Sequence, residues 1–267
     1  MLLSTSVHKI MSTPKLYKTE AIVIKASDLG EADRLLTLYT PHLGKLKAVA
    51  RGARKTKSKL GGHVEPLTHC LLMLAQGHTL DVVSQSQTLH SFQSVREELG
   101  RLSLGLYAAD LVNSFTEERQ ENFPLFRLFI DTLDWLSVAA GTTRQNKQDS
   151  AIHHFELHLL EYVGYQPQLQ DCVHCHCALE PVTNYFSPNT GGIVCPGCRE
   201  HGAWVKPISV NALKCLRLFQ ASPREDACRI RLNAELSQEL KQHIQSYMRH
   251  LLERDIKSAT WMDRLQK

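Results

Sequence analysis

Between Tyr17 and Leu89 the chain gathers β-branched and apolar residues into short runs. The first is Glu20-Ala-Ile-Val-Ile-Lys-Ala26, and Asp33–Tyr39, Gly44–Ala50, Pro66–Ala75 and Thr79–Leu89 follow. Turn-forming residues separate them: Asp28-Leu-Gly30, Pro41–Gly44, Gly61-Gly62 and Gln76-Gly77-His78. Successive side chains of a strand point to opposite faces, so five such runs joined by tight turns predict a small closed β-barrel. A span of about 75 residues suits a five-stranded OB-type barrel or an SH3-like one, and periodicity does not separate them.

After Phe92 the period lengthens. Val95, Leu99, Leu102, Leu106, Ala109 and Val112 recur at spacings of three and four, and Phe123–Val138 repeats the habit with Leu125, Phe126, Phe129, Leu133 and Leu136. These are helical stripes. Asp149 or Ser150 can cap a third helix that ends near Tyr162 before Gly164, and Ser209–Ala221 and Ala234–Ile256 predict two more. The expected fold class is α+β and multidomain: a five-stranded barrel followed by an all-α domain that carries a cysteine-rich insert. The expected boundaries are an N-terminal extension over 1–16, the barrel over 17–91 and a helical domain over 92–170. A cysteine module follows over 171–202, then C-terminal helices over 203–267 that pack with the helical domain. No apolar run approaches the roughly 18 residues of a membrane helix. Met1–Pro14 lacks the pattern of a secretion signal, and Met11 is an alternative start.

Charge changes the picture. The 267 residues carry 31 Lys and Arg against 27 Asp and Glu, a formal +4. Residues 1–95 hold 12 of the bases and 6 of the acids, net +6, whereas residues 96–267 hold 19 and 21, net −2. Within the first part, Lys45, Lys47, Arg51, Arg54, Lys55, Lys57 and Lys59 follow one another with no acid between them. Lys45, Lys47 and Arg51 alternate onto one strand face, and Arg54 to Lys59, ahead of Gly61-Gly62, read as a mobile arm. Such a surface neutralises backbone phosphates and releases counterions without reading bases. A solvated face is the bland alternative; the barrel context favours nucleic acid. Aromatic residues between 16 and 95 are only Tyr17, Tyr39 and Phe92, too few for a base-stacking channel. Backbone-led, sequence-tolerant binding is expected.

Eight cysteines are too sparse for a disulfide scaffold, and a reducing cytoplasm is the consistent compartment. Four of them form Cys172-Val-His-Cys175 and Cys195-Pro-Gly-Cys198, with 19 residues between the pairs. Each pair makes a knuckle that points two thiolates at one centre, so Cys172, Cys175, Cys195 and Cys198 predict one structural Zn²⁺ in a closed tetrahedral site. Tyr185, Phe186 and Gly191-Gly192 suit a hairpin between the knuckles. Cys177, His174, His176 and His201 stand near enough to be alternative ligands. Cys70, Cys215 and Cys228 lie among apolar residues and read as core cysteines. His154-Phe-Glu156 ahead of Cys195–Cys198 faintly resembles a zinc deaminase pattern, but Val194 stands where proline is required. There is no H-E-x-x-H, phosphate-binding glycine loop, nucleophile elbow or acidic metal cluster, so no enzyme is expected.

Tyr17-Lys-Thr-Glu-Ala-Ile-Val-Ile-Lys25, Glu31-Ala-Asp-Arg-Leu-Leu-Thr-Leu38, Gly44-Lys45 and Val49-Ala-Arg-Gly-Ala-Arg-Lys55 together resemble the opening of the bacterial recombination mediator family RecO. The resemblance continues through the helical body to the paired cysteines. Some members of the family lack those cysteines; this chain has all four. The resemblance implies an OB-fold, a helical domain and a zinc module. It implies binding to single- and double-stranded DNA, annealing of complementary strands, and partnership with RecR. It further implies contact with the acidic C-terminal tail of single-stranded DNA-binding protein, indirect loading of RecA, and a cytoplasmic, nucleoid-associated location. By position it assigns phosphate contacts to Arg34, Lys45, Lys47, Arg51, Arg54 and Lys55; Lys57 and Lys59 are added from charge alone. Arg127 or Arg217 are candidates for the tail. The rival readings are an RNA- or ribosome-binding zinc protein and a protein-binding adaptor.

Overall fold

The structure is a computed structural model and describes residues 15–138, 144–201 and 204–253. The expected extension over 1–16, apart from residues 15 and 16, lies outside the described residues, as do the alternative start Met11 and the expected helix end at Ile256.

Five strands, β1 (Leu16–Leu29), β2 (Asp33–Thr40), β3 (Gly44–Ala50), β4 (His69–Ala75) and β5 (Asp81–His90), close into a barrel in the order β1-β2-β3-β5-β4. β1 is longer than its hydrophobic run because it serves two neighbours. Its first half pairs with β4 (Ala21 with Cys70) and its second half with β2 (Ala26 with Leu36), with a register shift between Val23 and Lys25. The wall is closed by a short parallel contact of β3 with β5, Ala48 with Asp81 and Val49 with Val82. This order and closure are consistent with the OB-type barrel rather than the SH3-like one. Alternate residues fill the interior, among them Leu36, Leu38, Leu46, Ala48, Leu72 and Leu74.

The outer face of β1 and β2 is apolar too. Ile22, Ile24 and Tyr39 are buried in the core of the helical body, which therefore docks directly on the barrel. Four helices follow: α1 (Gln93–Arg96), α2 (Leu99–Phe115), α3 (Phe123–Val138) and α4 (Arg144–Tyr162). The predicted stripe starting at Val95 is interrupted, because Glu98 caps a new helix by accepting from the Gly100 N–H. Leu99, at its first turn, is exposed.

The cysteine module contributes β6 (Asn184–Ser187), β7 (Gly192–Val194) and β8 (Lys206–Ile208), ordered β7-β6-β8. α5 (Val210–Ala221), α6 (Arg224–Ala227) and α7 (Ala234–Leu252) complete the described chain, with Ser209 and Asn233 as side-chain caps of α5 and α7. Phe186, Ile193 and Ile208 from the module sit in the same core as the helices. The Phe186 ring meets Tyr247 of α7 edge-on at 5.9 Å. Burial of each such side chain contributes about 1.5–3 kcal/mol, so the module is held by packing as well as by its cysteines.

Candidate nucleic-acid interface and metal centre

The chain leaves β3 at Ala50 and turns at Gly52, whose φ of +66° favours glycine. The Gly52 N–H donates to the Asp33 carboxylate (2.8 Å), and the Arg54 N–H to the Ala32 carbonyl (2.9 Å). Lys55 N–H donates to Gly52 and Ser58 N–H to Lys55, while Ala53 is buried in the barrel interior. The predicted arm is therefore a series of turns pinned against the β1–β2 connection. Arg51, Lys55, Lys57 and Lys59 are exposed on it, and none of the described residues forms an ion pair with them. Arg54 donates to the carbonyls of Gly30 and Glu31 (3.1 and 3.2 Å) and lies 3.3 Å from Asp28. Arg34 donates to Glu65 at 2.6 Å. These two arginines share the same end of the barrel but are engaged with local acceptors.

Lys45 and Lys47 are placed differently from what alternation alone suggests. The Lys45 ammonium donates to the carbonyls of Asn113 and Thr116, both at 2.6 Å, where the last turn of α2 leaves oxygens without helical partners. The Lys47 ammonium is half-exposed and 2.5 Å from Glu118. Residues 116–122, which join α2 to α3, run beside the first half of β3. Glu118 bridges Lys45 in parallel fashion, the Arg119 N–H donates to the Lys45 carbonyl (2.8 Å), and Gly44 lies so close to the Gln120 carbonyl that no Cβ would fit. The connector thus occupies the part of β3 that β5 does not reach.

The connector is anchored by Arg119, whose guanidinium donates to Asp81 at 2.9 Å. Asp81 is buried at the start of β5 and also accepts from the Tyr17 hydroxyl (2.5 Å) and the Gly77 N–H (3.0 Å). Burial opposes ionisation of Asp81, but these donors hold its carboxyl below the usual carboxylate range. Asp81, Arg119 and Glu118 escape a search for basic runs. The signal available was the acid-rich Glu117-Glu-Arg-Gln-Glu121, opposite in sign to Lys45 and Lys47.

The four predicted metal ligands come together. The Sγ atoms of Cys172, Cys175, Cys195 and Cys198 all lie within 4.8 Å of one another, with Cys175 and Cys195 at 3.7 Å. Thiolates around a tetrahedral ion with metal–sulfur bonds of about 2.3 Å stand about 3.8 Å apart, so the set fits. The first knuckle is closed by His176 N–H to Cys172 carbonyl (2.9 Å), with His176 at φ +58°; the second by Cys198 N–H to Cys195 carbonyl (3.0 Å). The Cys195 N–H donates to Cys172 Sγ at 3.4 Å. The backbone N–H and thiol of Cys177 are the leading causes that draw the Cys175 thiol down to about 6. Cys177 lies at the rim, its Sγ 3.2 Å from that of Cys175, outside the mutually close set. His174 and His176 are exposed and do not join the set; the side chain of His201 lies outside the described residues.

A cleft of about 520 Å³ opens between α3, α4 and the turn into α6. Leu128 and Trp135 give it an apolar lining and Arg127 and Arg224 a cationic one, and Asp131 and Glu225 line it as well. His154 also lines it, is buried, and has no hydrogen-bond partner at Nε2. Arg127 is 3.7 Å from Asp131. Arg217 is spent elsewhere: it donates to the carbonyls of Leu169 (2.8 Å) and Gln170 (3.3 Å) and ties α5 to the module.

Two family descriptions match in order along the chain: "Recombination protein O N terminal" over residues 11–92 and "Recombination protein O C terminal" over residues 96–260. Barrel and helical body are thus two parts of a DNA repair and recombination protein. The DNA repair protein RecO of Roseiflexus sp. (strain RS-1) is 43% identical over 249 residues, covering 93% of this chain and 86% of that protein. The DNA repair protein RecO of Dehalococcoides mccartyi (strain ATCC BAA-2266 / KCTC 15142 / 195) is 40% identical over 257 residues, covering 96% and 99%. That of Pelotomaculum thermopropionicum is 36% identical over 252 residues. The chain belongs to the RecO family.

Proposed function

We propose that this chain binds single- and double-stranded DNA through backbone phosphates and anneals complementary strands. With RecR it helps load RecA onto DNA coated by single-stranded DNA-binding protein, and it catalyses no covalent step. The observation that carries the reading is the cluster of Arg51, Lys55, Lys57 and Lys59, exposed and without ion-pair partners among the described residues, on a loop pinned to the barrel. Two DNA strands repel each other; a cationic surface screens that repulsion, and contacts confined to phosphates let the strands slide into register. Arg34, Arg54, Lys45 and Lys47 border the cluster and add positive potential, while their side chains hold the platform together.

Zinc is the ion we assign to Cys172, Cys175, Cys195 and Cys198. A closed all-thiolate set suits it and leaves no position for substrate, so the ion would stabilise the fold. For the acidic tail we assign the cleft of Arg127, Arg224 and His154, where a carboxylate meets cations and an apolar side chain meets Trp135.

The decisive experiment is fluorescence annealing of complementary oligonucleotides by wild type and by Arg51→Ala/Lys55→Ala/Lys57→Ala. With about four phosphates contacted, wild-type affinity for single strands should fall roughly fifty-fold between 50 and 200 mM salt. The triple variant should lose at least ten-fold in annealing, and its salt slope should drop by about 2. Annealing at the wild-type rate would remove the loop from the mechanism.

A further inference from the structure

The connector between α2 and α3 lays an acidic side chain on the DNA face. Lys47 follows Lys45 on the alternating outer positions of β3, and Arg51 stands just past the strand's end, so Lys47 lies on the strand that leads into the cationic loop. Its ammonium is half-exposed and reachable, yet it is paired with Glu118. The pairing is built in rather than incidental. The backbone of Glu118 and Arg119 is docked along β3 by the Lys45 bridge, the Arg119 N–H bond and the close approach of Gln120 to Gly44. Arg119 locks the connector to buried Asp81, and Lys45 locks the end of α2 from which it starts. Glu118 therefore cannot drift away as a side chain on a loose loop can. It offers Lys47 a carboxylate oxygen where a phosphate oxygen would otherwise bind, and its acidity is enhanced by that same lysine.

We infer that Glu118 is an affinity-setting residue: an internal competitor of DNA phosphate at Lys47 that holds strand binding below what the cations alone would give. The inference rests on the DNA reading above. Its chemistry suits strand annealing, because a protein that must release a strand as readily as it captures one gains from a fixed anion that reclaims each vacated cation. Glu117, the preceding residue, is also a glutamate and exposed but pairs with no described cation. It supplies the control for simple charge removal.

The test measures single-stranded oligonucleotide binding by anisotropy across salt for wild type, Glu118→Gln, Glu117→Gln, Lys47→Ala and Glu118→Gln/Lys47→Ala. Thermal melts check that each variant keeps the fold. Displacing one exposed ion pair should tighten binding roughly two- to five-fold in Glu118→Gln. The salt slope should steepen by about 0.7, one additional single-strand phosphate. Lys47→Ala alone, which removes a bordering cation and leaves Glu118 uncompensated, should weaken binding by roughly two-fold or less, whereas in the Glu118→Gln background it should erase the gain. An equal gain from Glu117→Gln, or a gain that survives Lys47→Ala, would show a general field effect and overturn the competition. Unchanged affinity in Glu118→Gln beside a wild type that binds DNA would overturn it too and leave the DNA reading standing. Absence of binding by wild type and Glu118→Gln alike would remove both.

Discussion

His154 is buried against Trp135, with ring centroids 5.8 Å apart, and its Nε2 lacks a partner. Burial, reinforced by His158, pushes its pKa down to about 4. An unfolded histidine titrates near 6.5, so as pH falls the unfolded chain takes up the proton first. Stability is fully present above about 6.5 and is lost progressively towards pH 4, by up to about 1.4 kcal/mol per unit. His69 and His243 are lowered in the same direction, also by burial first. Urea midpoints should therefore be lower at pH 5 than at pH 7, and His154→Gln should flatten part of that difference; an unchanged slope would place the proton elsewhere. Lys45 teaches a second lesson at this scale. Alternation told which side of β3 it occupies but not that the end of α2 would stand opposite. Lys45→Gln should cost about 1–2 kcal/mol in urea denaturation, since it leaves helix-end carbonyls without a donor. Lys47→Gln, losing an exposed pair, should cost under about 1 kcal/mol. The clustering of the four cysteines was legible because a Cys-x-x-Cys spacing carries its own local geometry.

Among elements, the strands and helices were largely visible in the hydrophobic period, and their ends were less so. β1 outruns its β-branched stretch because its first half pairs with β4 and its second half with β2. The break between α1 and α2 lies at Glu98, a side-chain cap that a run of apolar spacings does not register. The basic loop looked mobile from composition, since charge says nothing of the backbone bonds to Asp33 and Ala32 that pin it. This pinning is testable without touching charge. A Cβ on Gly52 would meet only the Lys55 side chain, at 3.7 Å, so Gly52→Ala is strained solely by its positive φ. The variant should lose about 1 kcal/mol and anneal more slowly with every cation present. Annealing unchanged at reduced stability would mean that loop shape is irrelevant.

For the whole molecule, the boundary between cysteine module and helices does not coincide with a boundary in the core. Phe186, Ile193 and Ile208 share one apolar core with α7, while the barrel interior is a separate cluster. Loss of the proposed zinc should therefore propagate. Chelation, or Cys195→Ser, should lower hydrogen-exchange protection in α7 and in β6–β7 together and leave the barrel strands protected. Loss confined to the module would show that packing alone holds α7. The sequence allowed a separate finger here because the apolar residues between the knuckles are few and their partners lie some sixty positions downstream.

The short closure between β3 and β5 bears on how this protein can be divided. Only Ala48 and Val49 of β3 pair with β5, and Lys45 pairs with the connector instead. A barrel expressed without the helices would present the first half of β3 as a bare edge, beside the newly exposed Ile22, Ile24 and Tyr39. Unpaired backbone next to an apolar patch is a template for strand addition between copies. Such a fragment is expected to self-associate, so its binding to DNA would report on an aggregate rather than on one barrel.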